Sequence, residues 1–335
     1  MRAMRILLFC TVLALAVGAG AVGQGEVLAL RRIGLTVTDL DRTECFYRDV
    51  LDFRTLSRQV APGEATLLGL PETQAKVLTM RLGGEEVEFL HFDPPGRPAP
   101  ADTQGPDRWF QHFAIVVSDM DAAFAQLSSA GVQAISKGGP QTLPERNGRI
   151  RAFKFRDPDG HPLELLSFPP GQGRAVWHER PGLFLGIDHS AISIAATEPS
   201  LVFYRDVLGL RVTGGVVNDG PTQARLDGLA DPVVRITGLR PAGLDGAGIE
   251  FLDYRSPATG RPVPADSRAG DVVHAHLTLA VDSLGIIWNN PSIRRVSPRP
   301  VAVAPGLCAV TILDPDGHWL ILERQPSAPS SEECP

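Results

Sequence analysis

Apolar and polar residues alternate through Arg32-Ile-Gly-Leu-Thr-Val-Thr-Asp-Leu40, the period of a strand with one buried face. The period then lengthens. Phe46, Tyr47, Val50 and Leu51 recur on one helical face, and Asp39 or Asp41 stands where a helix N-cap belongs. Lys76–Leu82 and Val87–Phe92 flank Gly83-Gly84 and predict a hairpin. The same order, strand, helix and further strands, follows from Gln111–Asp119. Its helix is predicted over Asp121–Ala130, and Ile150–Phe155 and Pro162–Phe168 flank a type I turn at Asp157-Pro-Asp-Gly160. A third unit opens at Gly186-Ile-Asp-His189, with Gly209 placed for a left-handed stop after its helix, and a fourth at Val272-Val-His-Ala-His276. The fourth is short: 36 residues run from Asp282 to Gly317 where 43 run from Ser118 to Gly160, and Asn289-Asn-Pro291 breaks the expected helix.

Two phrases recur at one distance. Phe46-Tyr-Arg-Asp-Val-Leu returns as Phe203-Tyr-Arg-Asp-Val-Leu, and Asp157-Pro-Asp-Gly-His161 as Asp314-Pro-Asp-Gly-His318, each 157 positions later. Gly96-Arg-Pro-Ala-Pro-Ala-Asp102 returns as Gly260-Arg-Pro-Val-Pro-Ala-Asp266, 164 positions later. The chain is therefore duplicated, and every position in one half has a counterpart to test it against. The expected partition is a domain over residues 28–168, a Pro/Gly-rich linker over 169–182, a second domain over 183–325 and a polar tail over 326–335.

Of the 335 residues 43% are hydrophobic and 21% charged, a globular composition with material for two cores. A net charge of −6 gives no reason to expect nucleic acid or an anionic membrane as partner. Residues 1–21 read as a signal peptide: Arg2 and Arg5, an apolar run from Ile6 to Val17, then Ala19-Gly-Ala21. The expectation is a periplasmic or secreted protein beginning near Val22, with no membrane attachment after cleavage. Cys45 and Cys308 read as core thiols, and no disulfide framework is legible.

The ordered set, a strand ending near Val-x-Asp-Leu40, then Phe-Tyr-Arg-Asp-Val-Leu, then Asp-Pro-Asp-Gly before a last strand, resembles the vicinal oxygen chelate superfamily: glyoxalase I, extradiol dioxygenases and the fosfomycin and bleomycin resistance proteins. The resemblance covers residues 28–325. It implies an α+β fold of four βαβββ units paired into two cupped domains, each enclosing a site that often holds a divalent metal. It does not name the reaction, since the fold hosts several.

In such proteins ligands come from the first and last strands of each unit. The matching positions are Arg32, Glu88, His112 and Glu164 in the first half, and His189, Glu250, His276 and Ile321 in the second. Two imidazoles and one carboxylate make His189, Glu250 and His276 the expected ligands of one divalent metal, Fe, Zn, Ni or Mn. Glu88, His112 and Glu164 form a second candidate set, with Arg32 read as an ion-pair partner in a structural cluster because arginine is not a ligand. Strand alternation places Tyr254 on the face of Glu250 and His274 on that of His276, making both candidate acid/base groups, and a register slip would make His274 itself a ligand. His161 and His318 are expected to finish their turns or face solvent. The implied activity is a glyoxalase-like lyase or isomerase acting on a small substrate with vicinal oxygens, and a homodimer stays open. Fe(II)-dependent ring cleavage, disfavoured by Ile321 where a carboxylate usually stands, and a non-catalytic binding protein are the alternatives.

Overall fold

The computed structural model describes residues 26–243, 246–288 and 290–324; the expected signal peptide and tail lie outside them. Four βαβββ units are present. The first runs from strand Val27–Thr36 through helix Leu40–Leu51 to strands Arg54–Val60, Gln74–Leu82 and Glu85–Asp93. Asp39 caps that helix, its carboxylate accepting from the backbone N–H groups of Asp41 (2.8 Å) and Arg42 (3.1 Å). The fourth unit is abbreviated as the sequence predicts, its helix reduced to Gly285–Trp288. Gly209 does end the third helix with a positive φ of 75°. No described helix is long and apolar enough to cross a membrane.

The expected partition at residues 169–182 does not describe the sheets. Strand Val27–Thr36 pairs antiparallel with Ala275–Val281, so the first unit shares a nine-stranded sheet with the fourth. Strand Phe110–Val117 pairs antiparallel with Phe184–Ser193, and the second unit shares the other nine-stranded sheet with the third. Each half therefore contributes to both sheets. The 169–182 segment is also more than a linker. Trp177 is buried against Val116 and Leu185, and Arg180 reaches Glu85 of the first unit (3.2 Å).

The repeated phrases recur because they touch one another. Tyr47 of the first Phe-Tyr-Arg-Asp phrase donates to Asp157 (3.1 Å), and His161 Nδ1 meets the same carboxylate at 2.9 Å. Tyr204, Asp314 and His318 repeat the arrangement at 3.0 and 2.8 Å. Both histidines are buried, so of the two expectations they finish their turns rather than face solvent: the backbone N–H and ring of each are held by the aspartate that opens its own turn. The Gly-Arg-Pro phrases clasp reciprocally. Arg97 binds Asp271 (2.7 Å) and Asp266 (2.8 Å), while Arg261 binds Asp107 (2.6 Å) and Asp102 (3.0 Å). Neither cysteine expectation holds, for Cys308 is disulfide-bonded and Cys45 is exposed on the outer face of its helix.

Candidate metal centre

Four positions converge in the cup of the second and third units: His112, Glu164, His189 and Glu250. The register explains how. His189 stands opposite Ala114, whose parallel neighbour is Glu164, while His112 stands opposite Ala191, whose parallel neighbour is Glu250. Buried alanines at 114 and 191 keep the floor low between the four longer side chains. His112 Nε2 lies 2.9 Å from Glu164 and His189 Nε2 lies 3.5 Å from Glu250, and one ligand atom each from His112, Glu164 and His189 falls within 4.8 Å of the others.

The expected ligand set His189, Glu250 and His276 is therefore corrected. His276 belongs to the other sheet, and His112 and Glu164, assigned to the second set, complete the group in its place. The counterpart positions themselves hold. Arg32, Thr278 and Ile321 share one row of the first sheet as His189, Ala114 and Glu164 share one row of the second. Only the grouping differs, because the sheets join units across the halves.

The environment suits a cation. His189 Nδ1 is taken by Asp188 (3.1 Å), which also accepts from Trp177 Nε1 (3.0 Å), so the ring is fixed with Nε2 facing the cup. That Nε2 is buried without a hydrogen-bond partner among the described residues. Burial disfavours a charged ring there, yet Glu250, Asp188 and Glu164 outweigh it and lift His189 to about 9. Burial dominates at His112 and pushes it down to about 4 despite Glu164. Glu164 is drawn to about 2, its own burial overcome by His112 and Lys154, whereas burial raises Glu250. Two imidazoles and the Glu164 carboxylate around one buried point, with the Nε2 of His189 left open and Glu250 3.5 Å from it, form a donor set that fits a divalent transition metal.

The cup encloses about 230 Å³. Tyr254 lines it as expected and donates to Asp227 (3.1 Å), which also receives Lys154 Nζ (2.8 Å) and Gln223 Nε2 (2.8 Å). Lys154, Asp227 and Gln223 were not anticipated from the sequence. The signal was available in the repeat, since Lys154 corresponds to Thr311 at the 157-residue offset and a buried lysine within a strand needs a partner.

The sister cup is closed to the same use. Arg32 pairs with Glu88 (3.0 Å) and with Glu323, as its reading as an ion-pair partner requires. His276 Nε2 bonds Glu88 (2.8 Å), and its ring lies where a Cβ on Gly34 would stand, 2.1 Å from the imidazole. The ring of His274, expected as an acid/base group, bonds only to His276 (3.1 Å) among the described residues and faces Trp319, just before a strand of the sheet that does not hold His189. Burial and the neighbouring His276 hold it well below the ordinary histidine range. Glu64, Glu88 and His276 do cluster, but with the Arg32 guanidinium on Glu88. Ile321 and its apolar neighbours Ala65, Leu67 and Leu68 fill the cup.

Residues 29–165 match the family described as the Glyoxalase/Bleomycin resistance protein/Dioxygenase superfamily. Among solved structures the chain is similar to a mutant of glyoxalase I from Zea mays, with 18% identity, 90% of this chain and 94% of that one covered, and a TM-score of 0.60. It is likewise similar to a proposed dioxygenase from Bacillus subtilis, with 16% identity, 90% and 87% covered, and a TM-score of 0.54. No curated protein matches. The family match thus covers residues 29–165, and the paired βαβββ units and the two solved structures show the same fold across both halves.

Proposed function

We propose that the protein is a metal-dependent enzyme with one working cup, which holds a divalent ion through His112, Glu164, His189 and Glu250 and carries out glyoxalase-like lyase or isomerase chemistry on a small substrate with adjacent oxygens. The observation that carries the reading is His189 Nε2, buried without a hydrogen-bond partner among the described residues, grouped with His112 and Glu164 and 3.5 Å from Glu250. An ion bound there supplies a Lewis acid that polarises a carbonyl and stabilises an enolate. The chain's own residues handle the proton. Glu250 is the carboxyl that burial raises, and at 3.5 Å from His189 it is the less tightly held of the two, so it is the group suited to accept and return a substrate proton. Tyr254 and Lys154 fix Asp227 at the cup wall.

The second carboxylate favours this chemistry over ring cleavage. Two imidazoles and one carboxylate leave positions open for oxygen and substrate, whereas a fourth protein ligand occupies one of them and offers a base. Elemental analysis of the purified protein tests the choice: Zn or Ni supports the lyase or isomerase, Fe turns the assignment to a dioxygenase, and no metal under any loading condition leaves a binding protein.

Export belongs to the same proposal. The basic, apolar and small-residue order of residues 1–21 supports it, and the disulfide at Cys308 suits an oxidising compartment. N-terminal sequencing of protein from its native host is expected to begin near Val22; an intact Met1 in a cytosolic fraction would refute export.

A further inference from the structure

The two cups differ most in one wall. Helix Gly220–Asp227 lies along the working cup as helix Pro62–Leu67 lies along its sister, and the alignment of Leu226-Asp-Gly-Leu229 with Leu67-Leu-Gly-Leu70 places Asp227 opposite Leu68 and Gln223 opposite Glu64. Tyr254 likewise replaces Phe92, and Lys154 replaces Thr311. Four polar groups thus stand on one side of the working cup, where the sister cup keeps two polar ones, Glu64 and Thr311, and has Leu68 and Phe92 for the others.

Three of them satisfy one another through the fourth. Asp227, an acceptor only, receives Lys154 Nζ, Tyr254 Oη and Gln223 Nε2. Because a carboxylate accepts and cannot donate, the Gln223 amide must present its nitrogen to Asp227. Its orientation is fixed, and Oε1 points the other way. That oxygen is buried without a hydrogen-bond partner among the described residues, on a side chain that lines the cavity, and Gln223 as a whole is 4% exposed. A buried carbonyl oxygen left unpaired costs free energy that a ligand donor recovers. The cationic side chains that line the cavity are matched, Lys154 against Asp227 and Arg146 against Asp219, so the donor that completes the wall needs no charge of its own. Elsewhere the cavity is lined by Leu143, Ile150, Val216 and Ile236 and by the polar Arg146, Asn147 and Asn218; Asn147 Oδ1 is also buried without a hydrogen-bond partner among the described residues, but no charged group fixes it as Asp227 fixes the Gln223 amide.

We infer that the substrate of this cup is a small hydroxylated molecule, its two vicinal oxygens directed to the His/Glu group and a further, neutral hydroxyl donating to Gln223 Oε1, which makes Gln223 a specificity-determining residue. The inference rests on the metal reading above. A ligand with only an alkyl or aryl surface at that point leaves Oε1 unpaired, the situation in which buried polar groups discriminate strongly between analogues.

The test uses the full-length protein loaded with Zn(II) and calorimetric titration with benzohydroxamic acid, whose two adjacent oxygens chelate metals, and with its 3-hydroxy and 4-hydroxy derivatives. The wild type is expected to bind at least one hydroxylated probe about tenfold more tightly than the parent, the scale of one buried hydrogen bond. Gln223→Met, close in size and without the amide, is expected to abolish that preference; circular dichroism and thermal melting check that it folds. Equal affinities for all three probes in the wild type overturn the inference without any variant, as does a preference that survives in Gln223→Met. Zn(II) binding with no affinity for any hydroxamate also overturns it. Failure of the protein to hold Zn(II) at all overturns the metal reading instead, and the inference with it.

Discussion

His112 and His189 stand on adjacent antiparallel strands from opposite sides of residues 169–182, with ring centroids 5.6 Å apart. Neither half of the duplicated chain holds this pair by itself. The working cup exists because the second unit adds its first strand to the first strand of the third, and the first and fourth units are left to make the sister cup.

One consequence concerns proteolysis. Cleavage within residues 169–182 should leave the two fragments associated, since each of the two sheets crosses the cut. Size-exclusion chromatography of the nicked protein is expected to show one species of the intact size, separating only in denaturant. Two fragments eluting independently would mean that the halves fold as separate domains.

The reciprocal clasps should matter to stability. Asp271 and Asp107 are buried carboxylates, 3% and 5% exposed, and each depends on an arginine from the other copy of the Gly-Arg-Pro phrase. Arg97→Ala and Arg261→Ala are each expected to cost about 1–3 kcal/mol by urea denaturation, the range for a buried polar group left without its partner. Metal content should not change.

The Tyr47–Asp157–His161 group should give stability a pH dependence on the alkaline side. Burial opposes the charged ring, but Asp157 and the Val272 carbonyl, which lies 2.8 Å from Nε2, raise His161 to about 8. The folded state therefore holds a proton that the unfolded chain releases near 6.5. This stabilisation is full below about pH 6.5 and is lost as pH rises through about 8, an amount near 2 kcal/mol from the size of the shift. Denaturation curves between pH 6 and 9 should show the decline in the wild type and a flatter profile in His161→Asn; an unchanged profile would remove His161 as the cause.

Replacing Arg32 should separate structure from chemistry. Arg32→Met leaves Glu88 and Glu323 buried without their cation, and is expected to destabilise the protein by about 3 kcal/mol, as breaking a buried ion pair does. A metal held in the other sheet, as proposed, should remain. Loss of metal in a folded Arg32→Met protein would place the ion in the sister cup.

Much of this was legible in the sequence at the level of position. Alternation and the 157- and 164-residue offsets identify Arg32 with His189, Ile321 with Glu164 and His276 with His112, and the strand register places each pair equivalently. The grouping was not legible. Local alternation fixes which face of a strand is buried but carries no information on which distant strand lies beside it, so His276 was assigned to the cup of His189 when its neighbour is Glu88. For the turn histidines the sequence left open whether they finish their turns or face solvent. What covers them comes from far along the chain: Tyr47 and Tyr204 reach the same aspartates from 110 residues before those aspartates, and the Val272 carbonyl meets His161 Nε2. Lys154 and Asp227 are 73 residues apart, and neither signals the other until the second and third units are joined.

The central claim is that the ion is held between the halves, by the second and third units. Elemental analysis of His112→Ala and His276→Ala beside the wild type tests it most directly, with circular dichroism to show that both variants fold. The wild type is expected to carry about one divalent metal per chain, His112→Ala to lose most of it, and His276→Ala to retain it. Retention by His112→Ala together with loss by His276→Ala would contradict the account.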